Sequence, residues 1–211
     1  MLKDIDAILL DMDDTLYLER DYVRSGFEAV GQFVGCEAFG AFCWARFLEG
    51  VRGTTFNLAI EAFPAVHADI PSLVACYRSH FPKIALCPDA ADFLTSTHLR
   101  TGIISDGPID SQRRKFRALG LMPWIECPIF TQETCAPKPA PAAFQLAAYT
   151  LNIPYERCLY VGDNPKKDFA GAKELGMKTA RIRRPESLHF AVDSRNDVDC
   201  TITSLDELPK V

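Results

Sequence analysis

With 211 residues, 48% of them hydrophobic, and a formal net charge of −5, the chain suits one globular domain, or a domain with an insertion, and can build a real core. The acidic balance gives no sign of a nucleic-acid or anionic-membrane partner, which would call for a basic patch. No apolar run approaches the roughly 18 residues needed to span a bilayer, and the opening MLKDID carries acids where a signal peptide would be basic and then apolar, so a cytoplasmic protein without a membrane partner is expected.

The first strand is expected within Ile5 to Leu10, where Ala7 to Leu10 is wholly apolar and the acids begin as the apolar residues stop. Ligands of open α/β sheets collect at the carboxyl ends of strands. If the backbone stays extended, the period of two sends Asp11 and Asp13 to one side and Met12 to the other, so that two acids share a site.

From Tyr17 to about Pro88 the pattern changes to aromatic-rich helical spacings with no clear strand, which reads as an α-helical insertion over residues 17–88. Val23, Phe27, Val30 and Val34 recur at three- and four-residue intervals, Phe39 and Phe42 lie three apart with Phe47 five further on, and Leu58 and Ala62 lie four apart. Gly53, Pro64 and Pro71 mark breaks between these helices.

From Arg100 onward short apolar runs alternate with helical patterns. Strands are expected at Gly102 to Ile104, Pro128 to Phe130, Leu159 to Val161, Thr179 to Ile182 and Thr201 to Thr203. Helices are expected between them, at Ile109 to Leu119, Ala142 to Leu151 and Asp168 to Leu175, with Gly120 and Gly176 as C-terminal caps. Such alternation implies crossovers and therefore an α/β fold, a doubly wound, mostly parallel Rossmann-like sheet formed by residues 1–16 and 89–211.

Three later segments carry chemistry-bearing residues at strand ends or in loops. RTGIISDG is a strand that ends in the hydroxyl of Ser105, which can donate to a ligand oxygen, as can the backbone N–H of Asp106 or Gly107; a helix cap is the other reading of Ser105. PKPAPAAF clamps one cation, Lys138, between prolines, where it could cancel charge on a neighbouring acid or sit on the surface. LYVGDNPKKD ends a strand in Asp163, with Asp168 five residues on. The eight cysteines lack a CxxC pair or regular spacing and read as small buried hydrophobes. The four histidines show no ligand spacing, and none is assigned to a metal.

In this order the segments resemble the four motifs of the haloacid dehalogenase superfamily, most of whose members are magnesium-dependent phosphatases. Asp11, Asp13 and Thr15 match the first motif, Ser105 the second, Lys138 the third, and Asp163 with Asp168 the fourth. The resemblance implies Mg2+ as cofactor and a small phosphate ester as substrate. It makes Asp11 the nucleophile that forms an aspartyl phosphate, and Asp13 the acid to the leaving alkoxide and then the base to water. Asp11 and Asp163 would bind the metal through carboxylates and Asp13 through its main-chain carbonyl. Lys138 would neutralise charge, Ser105, Asp106 and Gly107 would hold the phosphate with it, and Thr15 and Asp168 would support them.

The resemblance also makes residues 17–88 a cap domain that admits the substrate. Arg20, Arg24, Arg46, Arg52 and Asn57 are the candidate substrate contacts, with the stretch GVRGTTFN as the loop presented to the active site. The acid at Asp13 disfavours a dehalogenase, which attacks carbon without magnesium. A phosphomutase would share every core motif, and a binding module without turnover would be expected to lack one of the charged ones. A magnesium-dependent phosphatase of a small metabolite, a sugar phosphate or nucleotide, is the function expected.

Overall fold

The structure, a computed structural model, describes residues 4–134, 136–193 and 198–209. Contacts divide the chain into two compact units, one of residues up to Glu19 together with Ala85 onward, the other Arg20–Ile84. Tyr17 and Pro88, the expected ends of the insertion, thus fall in the first unit.

The second unit is built from α1 (Glu19–Phe33), α2 (Glu37–Leu48), α3 (Thr55–Ala62) and α4 (Ile70–Ser79). Val23, Phe27 and Val30 of α1 pack with Phe39, Cys43 and Phe47 of α2, Ala59 of α3 and Leu73 of α4 in one core. Gly40 lets α1 and α2 approach, since a Cβ there would lie 2.4 Å from the carbonyl oxygen of Phe27. On α3 the buried stripe is Thr55 and Ala59 rather than Leu58 and Ala62; Ala62 is exposed, because the short helix turns its larger apolar residues to the flanks of the core. Pro71 opens α4 instead of separating helices. It occupies the first turn, where no backbone N–H is needed, and the Asp69 carboxylate caps the helix by accepting the Ser72 N–H at 2.7 Å.

The first unit carries a six-stranded sheet of β1 (Ala7–Leu10), β2 (Arg100–Ser105), β3 (Cys127–Phe130), β4 (Cys158–Gly162), β5 (Lys178–Ile182) and β6 (Cys200–Ile202). Their order is β3-β2-β1-β4-β5-β6, and every neighbouring pair is parallel. Around it lie α5 (Pro88–Ser96), α6 (Ile109–Ala118), α7 (Thr131–Thr134), α8 (Ala142–Leu151) and α9 (Ala170–Glu174). Ala7, Leu9, Ile104, Ile129 and Tyr160 meet Phe144, Ala147 and Leu151 of α8 in one core. Alternate residues Ile8, Leu10, Ile103 and Val161 point to the other face and are equally buried, so both faces are covered, as parallel sheets require. Each fully buried side chain of this size stabilises the fold by roughly 1.5–3 kcal/mol before entropy is counted.

Gly120 and Gly176 follow α6 and α9 with φ of 64° and 84°, the left-handed cap that glycine adopts without strain. The helix expected at Asp168 begins instead at Ala170. Asp168 closes a turn before it, its Oδ2 accepting the Asn164 N–H at 2.7 Å while its own N–H donates to the Asn164 carbonyl at 3.0 Å. Among the described residues none of Cys36, Cys43, Cys76, Cys87, Cys127, Cys158 and Cys200 forms a disulfide, and Cys135 lies outside the described residues.

The direction of strand addition reverses beside β1: β2 and β3 lie on one side, β4 to β6 on the other. Leu10 is in register with Ile103 of β2 and Val161 of β4. The residues that follow these strands therefore gather at one carboxyl edge, at the switch point where open α/β sheets form clefts.

Candidate active site

Asp11 extends β1 by one rung, its N–H donating to the Val161 carbonyl at 2.8 Å, so its carboxylate is placed by the sheet rather than by a loop. Lys138 reaches it from the segment between β3 and α8. Its Nζ lies 2.6 Å from Asp11 Oδ1, 2.8 Å from Asp168 Oδ1 and 2.9 Å from the Tyr160 hydroxyl, and no part of its side chain is exposed. Burial pushes the Asp11 carboxyl up to about 7 against the pull of the Lys138 ammonium. Burial also draws Lys138 down, but Asp11 and Asp168 outweigh it and hold the ammonium well above its ordinary value.

Asp163 stands at the end of β4, next to β1. Burial raises its carboxyl, and a hydrogen bond from His189 works against that rise. Carboxylate oxygens of Asp11, Asp163 and Asp168 all lie within 4.8 Å of one another. A set of hard oxygen donors at this spacing fits a magnesium-like cation. Asp168 has both oxygens engaged, by Lys138 and by the Asn164 N–H, which leaves Asp11 and Asp163 as the free-handed carboxylates. Gly162 permits this crowding, since a Cβ there would lie 2.5 Å from Asp168 Oδ2.

Asp13 is held apart from that cluster. Its Oδ1 accepts from Lys115 Nζ at 2.7 Å and from the Tyr17 hydroxyl. Burial would raise its carboxyl, but Lys115 and Tyr17 prevail and hold it below the usual range. Thr15 is fully buried, and its carbonyl accepts two hydrogen bonds from Arg184, at 3.0 and 2.7 Å. Ser105, also fully buried at the end of β2, donates to Gln112 Oε1 at 3.2 Å; the N-cap position of α6 belongs to Pro108, so Ser105 is no helix cap. Gly107 adopts φ of 125°, a turn that few other residues take.

Several side chains that the motifs did not single out hold this edge together. The Asp106 carboxylate accepts the Thr131 hydroxyl at 2.7 Å and the Lys138 N–H at 3.1 Å. His189 Nδ1 lies 3.0 Å from Asp163 Oδ2, so one histidine does meet the acidic cluster although its spacing gives no hint of it. Arg181, fully buried on β5, donates to the carbonyls of Asp163, His189 and Val192 at 3.0, 2.6 and 2.7 Å. Asp14, with φ of 54°, accepts the Glu19 and Leu188 N–H groups, each at 2.8 Å. Lys115 had one signal in the sequence: it falls on the α6 stripe of Ser111, Gln112 and Phe116, which is buried.

In the helical unit, Arg24 pairs with Glu28 at 3.2 Å and Arg46 with Glu49 at 2.5 Å, both along helix faces. Arg20 lies over the Trp44 ring at 5.7 Å. Arg52 donates to the carbonyls of Phe47 and Val51 at 2.7 and 2.8 Å and stacks 3.7 Å over the Phe47 ring, which closes the end of α2. Asn57 is exposed on α3.

Residues 5–176 match the sequence profile of the haloacid dehalogenase-like hydrolases. The chain belongs to that family. A glyceraldehyde 3-phosphate phosphatase of Methanocaldococcus jannaschii is 35% identical to this hydrolase, over 97% of its chain and 95% of the relative. A phosphoserine phosphatase of Thermus thermophilus is 26% identical, over 89% and 94%. Among solved structures, a HAD phosphatase from Thermococcus onnurineus superposes with a TM-score of 0.62 at 24% identity, covering 96% of this hydrolase and 95% of that chain. A HAD family hydrolase from Deinococcus radiodurans, crystallised with phosphate and sodium, gives 0.66 at 21% identity, over 97% and 93%. At such identities the solved structures establish a shared fold.

Proposed function

We propose that this hydrolase is a magnesium-dependent phosphatase of a small phosphorylated metabolite, with Asp11 as the nucleophile. The observation that carries the reading is the buried Lys138 ammonium, 2.6 Å from Asp11 Oδ1 and 2.8 Å from Asp168 Oδ1. A phosphate monoester dianion resists an anionic nucleophile, and a fixed cation beside the attacking carboxylate offsets that repulsion. Asp11 and Asp163 would hold the metal through carboxylates and Asp13 through its main-chain carbonyl. When bound, magnesium supplies charge neutralisation to the transferring phosphoryl group.

Asp11 attacks phosphorus to form an aspartyl phosphate, while Asp13, ionised in the free protein and protonated once the dianionic ester binds beside it, gives that proton to the departing alkoxide. Asp13 then takes a proton from the water that cleaves the acyl phosphate, and Asp11 is regenerated. Lys138, the Ser105 hydroxyl and the N–H groups of Asp106 and Gly107 receive the phosphoryl oxygens. The helical unit 20–84 acts as the cap that selects the ester. The names of two relatives, acting on glyceraldehyde 3-phosphate and on phosphoserine, favour a three-carbon ester over a nucleotide.

Hydrolysis of p-nitrophenyl phosphate with magnesium and with excess EDTA tests the reading, followed by a panel containing those two esters. Chelation should abolish turnover, and Asp11→Asn should lower it by roughly 10²-fold or more, because an amide is no nucleophile. Full activity in EDTA overturns the metal dependence, and an active Asp11→Asn protein overturns the assignment of the nucleophile.

A further inference from the structure

The sites outside the carboxylate cluster that bear on chemistry converge on Asp13. Two donors from different parts of the chain meet one of its oxygens: Lys115 Nζ from α6, 2.7 Å from Oδ1, and the Tyr17 hydroxyl from the loop after β1. Asp13 and Tyr17 are also joined by a backbone bridge, so the loop holds both ends of that contact. Among the described residues no hydrogen bond reaches Oδ2. The Lys115 side chain is 5% exposed, and it stands 102 residues from Asp13 in sequence. A buried lysine is expensive unless it is paired, so its place on the inner stripe of α6 calls for a role.

We propose that Lys115 is a positioning residue for the reaction: with Tyr17 it pins Asp13 by Oδ1 and so presents Oδ2 as the one oxygen that exchanges a proton with the leaving group. The inference rests on the phosphatase reading, in which Asp13 serves as acid and then base. A carboxylate on a loop can rotate about χ2 and offer either oxygen at a poor angle. Two donors on a single oxygen remove that freedom before the substrate arrives, which is the kind of preorganisation on which proton transfer in a transition state depends. The proton moves between Oδ2 and the ester oxygen; Lys115 and Tyr17 keep theirs throughout.

Leaving-group dependence reads this directly. A p-nitrophenolate leaves with little need of a proton, whereas an alkoxide needs one, and kcat/KM reports the steps up to loss of the alcohol. In Lys115→Met, kcat/KM for an alkyl ester such as glycerol 2-phosphate should fall by roughly 30-fold or more, and that for p-nitrophenyl phosphate by only about threefold. Most of the alkyl loss should appear in kcat. Lys115→Arg should recover much of it, and Tyr17→Phe, which keeps the packing of the ring, should show the same selectivity to a smaller degree. Equal losses for both esters in Lys115→Met and Tyr17→Phe overturn the inference, as does the absence of any loss. If the wild-type protein turns over neither ester with any divalent cation, the phosphatase reading itself falls, and this inference with it.

Discussion

Asp106 accepts the backbone N–H of Lys138 at 3.1 Å, which ties the end of β2 to the segment that delivers the central cation. The same carboxylate oxygen takes the Thr131 hydroxyl at 2.7 Å, and Lys167 approaches the other at 3.7 Å. Asp106→Ala should therefore leave the sheet intact but loosen Lys138. We expect turnover to fall by about tenfold or more, from a displacement of the order of an ångström beside Asp11, the proposed nucleophile. Thr131→Val, which removes one of the two contacts, should cost less. Steady-state kinetics beside a melting curve separate the two effects, and an Asp106→Ala protein of wild-type turnover contradicts the role.

Removing the cation itself has a different signature. Lys138→Met leaves Asp11 and Asp168 buried without their ammonium, and breaking such a pair costs about 3–5 kcal/mol. Added magnesium should raise the melting temperature of this variant by more than that of the wild type, since a metal held as proposed would restore positive charge at the same carboxylates. Differential scanning calorimetry with and without the metal gives the comparison. An equal shift in both proteins would show that Lys138 and the metal do not share the field of these acids.

Asp89 gives a prediction about pH. Burial would raise its carboxyl, but hydrogen bonds from Arg184 and from the Leu205 N–H prevail and hold it below the usual range. The folded state thus prefers the ionised form. Its contribution is complete above the unfolded pKa near 4 and is lost as the pH falls through the lower folded value. Asp89→Asn should be less stable than wild type by about 1–2 kcal/mol at pH 7, a modest figure because the pair is partly solvated. The gap should close below about pH 4. A gap unchanged by acid would mean that the amide's lost packing, and not its charge, is responsible.

Arg52→Ala tests the helical unit. The guanidinium is committed to the Phe47 and Val51 carbonyls and to the Phe47 ring, so its loss should destabilise the protein by about 1 kcal/mol. Turnover of an aryl phosphate and of a three-carbon phosphate should change alike. A selective loss for the natural ester would instead give Arg52 a hand in recognition.

Much of this architecture could be read from the chain because strands and acids adjoin in it. Ala7–Leu10 and Cys158–Gly162 are apolar runs whose next residues are Asp11 and Asp163, and the sheet brings them side by side. Lys138 was marked by its two prolines. The partners of these residues were not marked. Lys115 sits on the inner stripe of α6, yet the basic composition of its run QRRKFRA reads as a solvated face and hides that signal, and it is the carboxylate of Asp106, not its N–H, that does the tying. Arg181 and His189 meet Asp163 only because β5 lies beside β4 in the sheet and the segment after it returns to the end of β4. Such meetings depend on tertiary packing and leave no local period. The same holds for α3, where eight residues are too few for the spacing of Leu58 and Ala62 to decide which face is inward.

The place of β1 in the middle of the sheet bears on how the protein is made. Of the six described strands it is the earliest in the chain, yet one of its neighbours, β4, is synthesised about 150 residues later, and Lys138 is separated from Asp11 by 127 residues. Contacts of such sequence separation form slowly, since the loop they close must be ordered before they stabilise anything. During translation the four helices of Arg20–Ile84 can collapse on their own contacts, while the apolar β1 keeps at least one bare edge until Gly162 has emerged. That interval is when the nascent chain is most exposed to pairing with a neighbour, and it is where a chaperone that shields a single short strand would act.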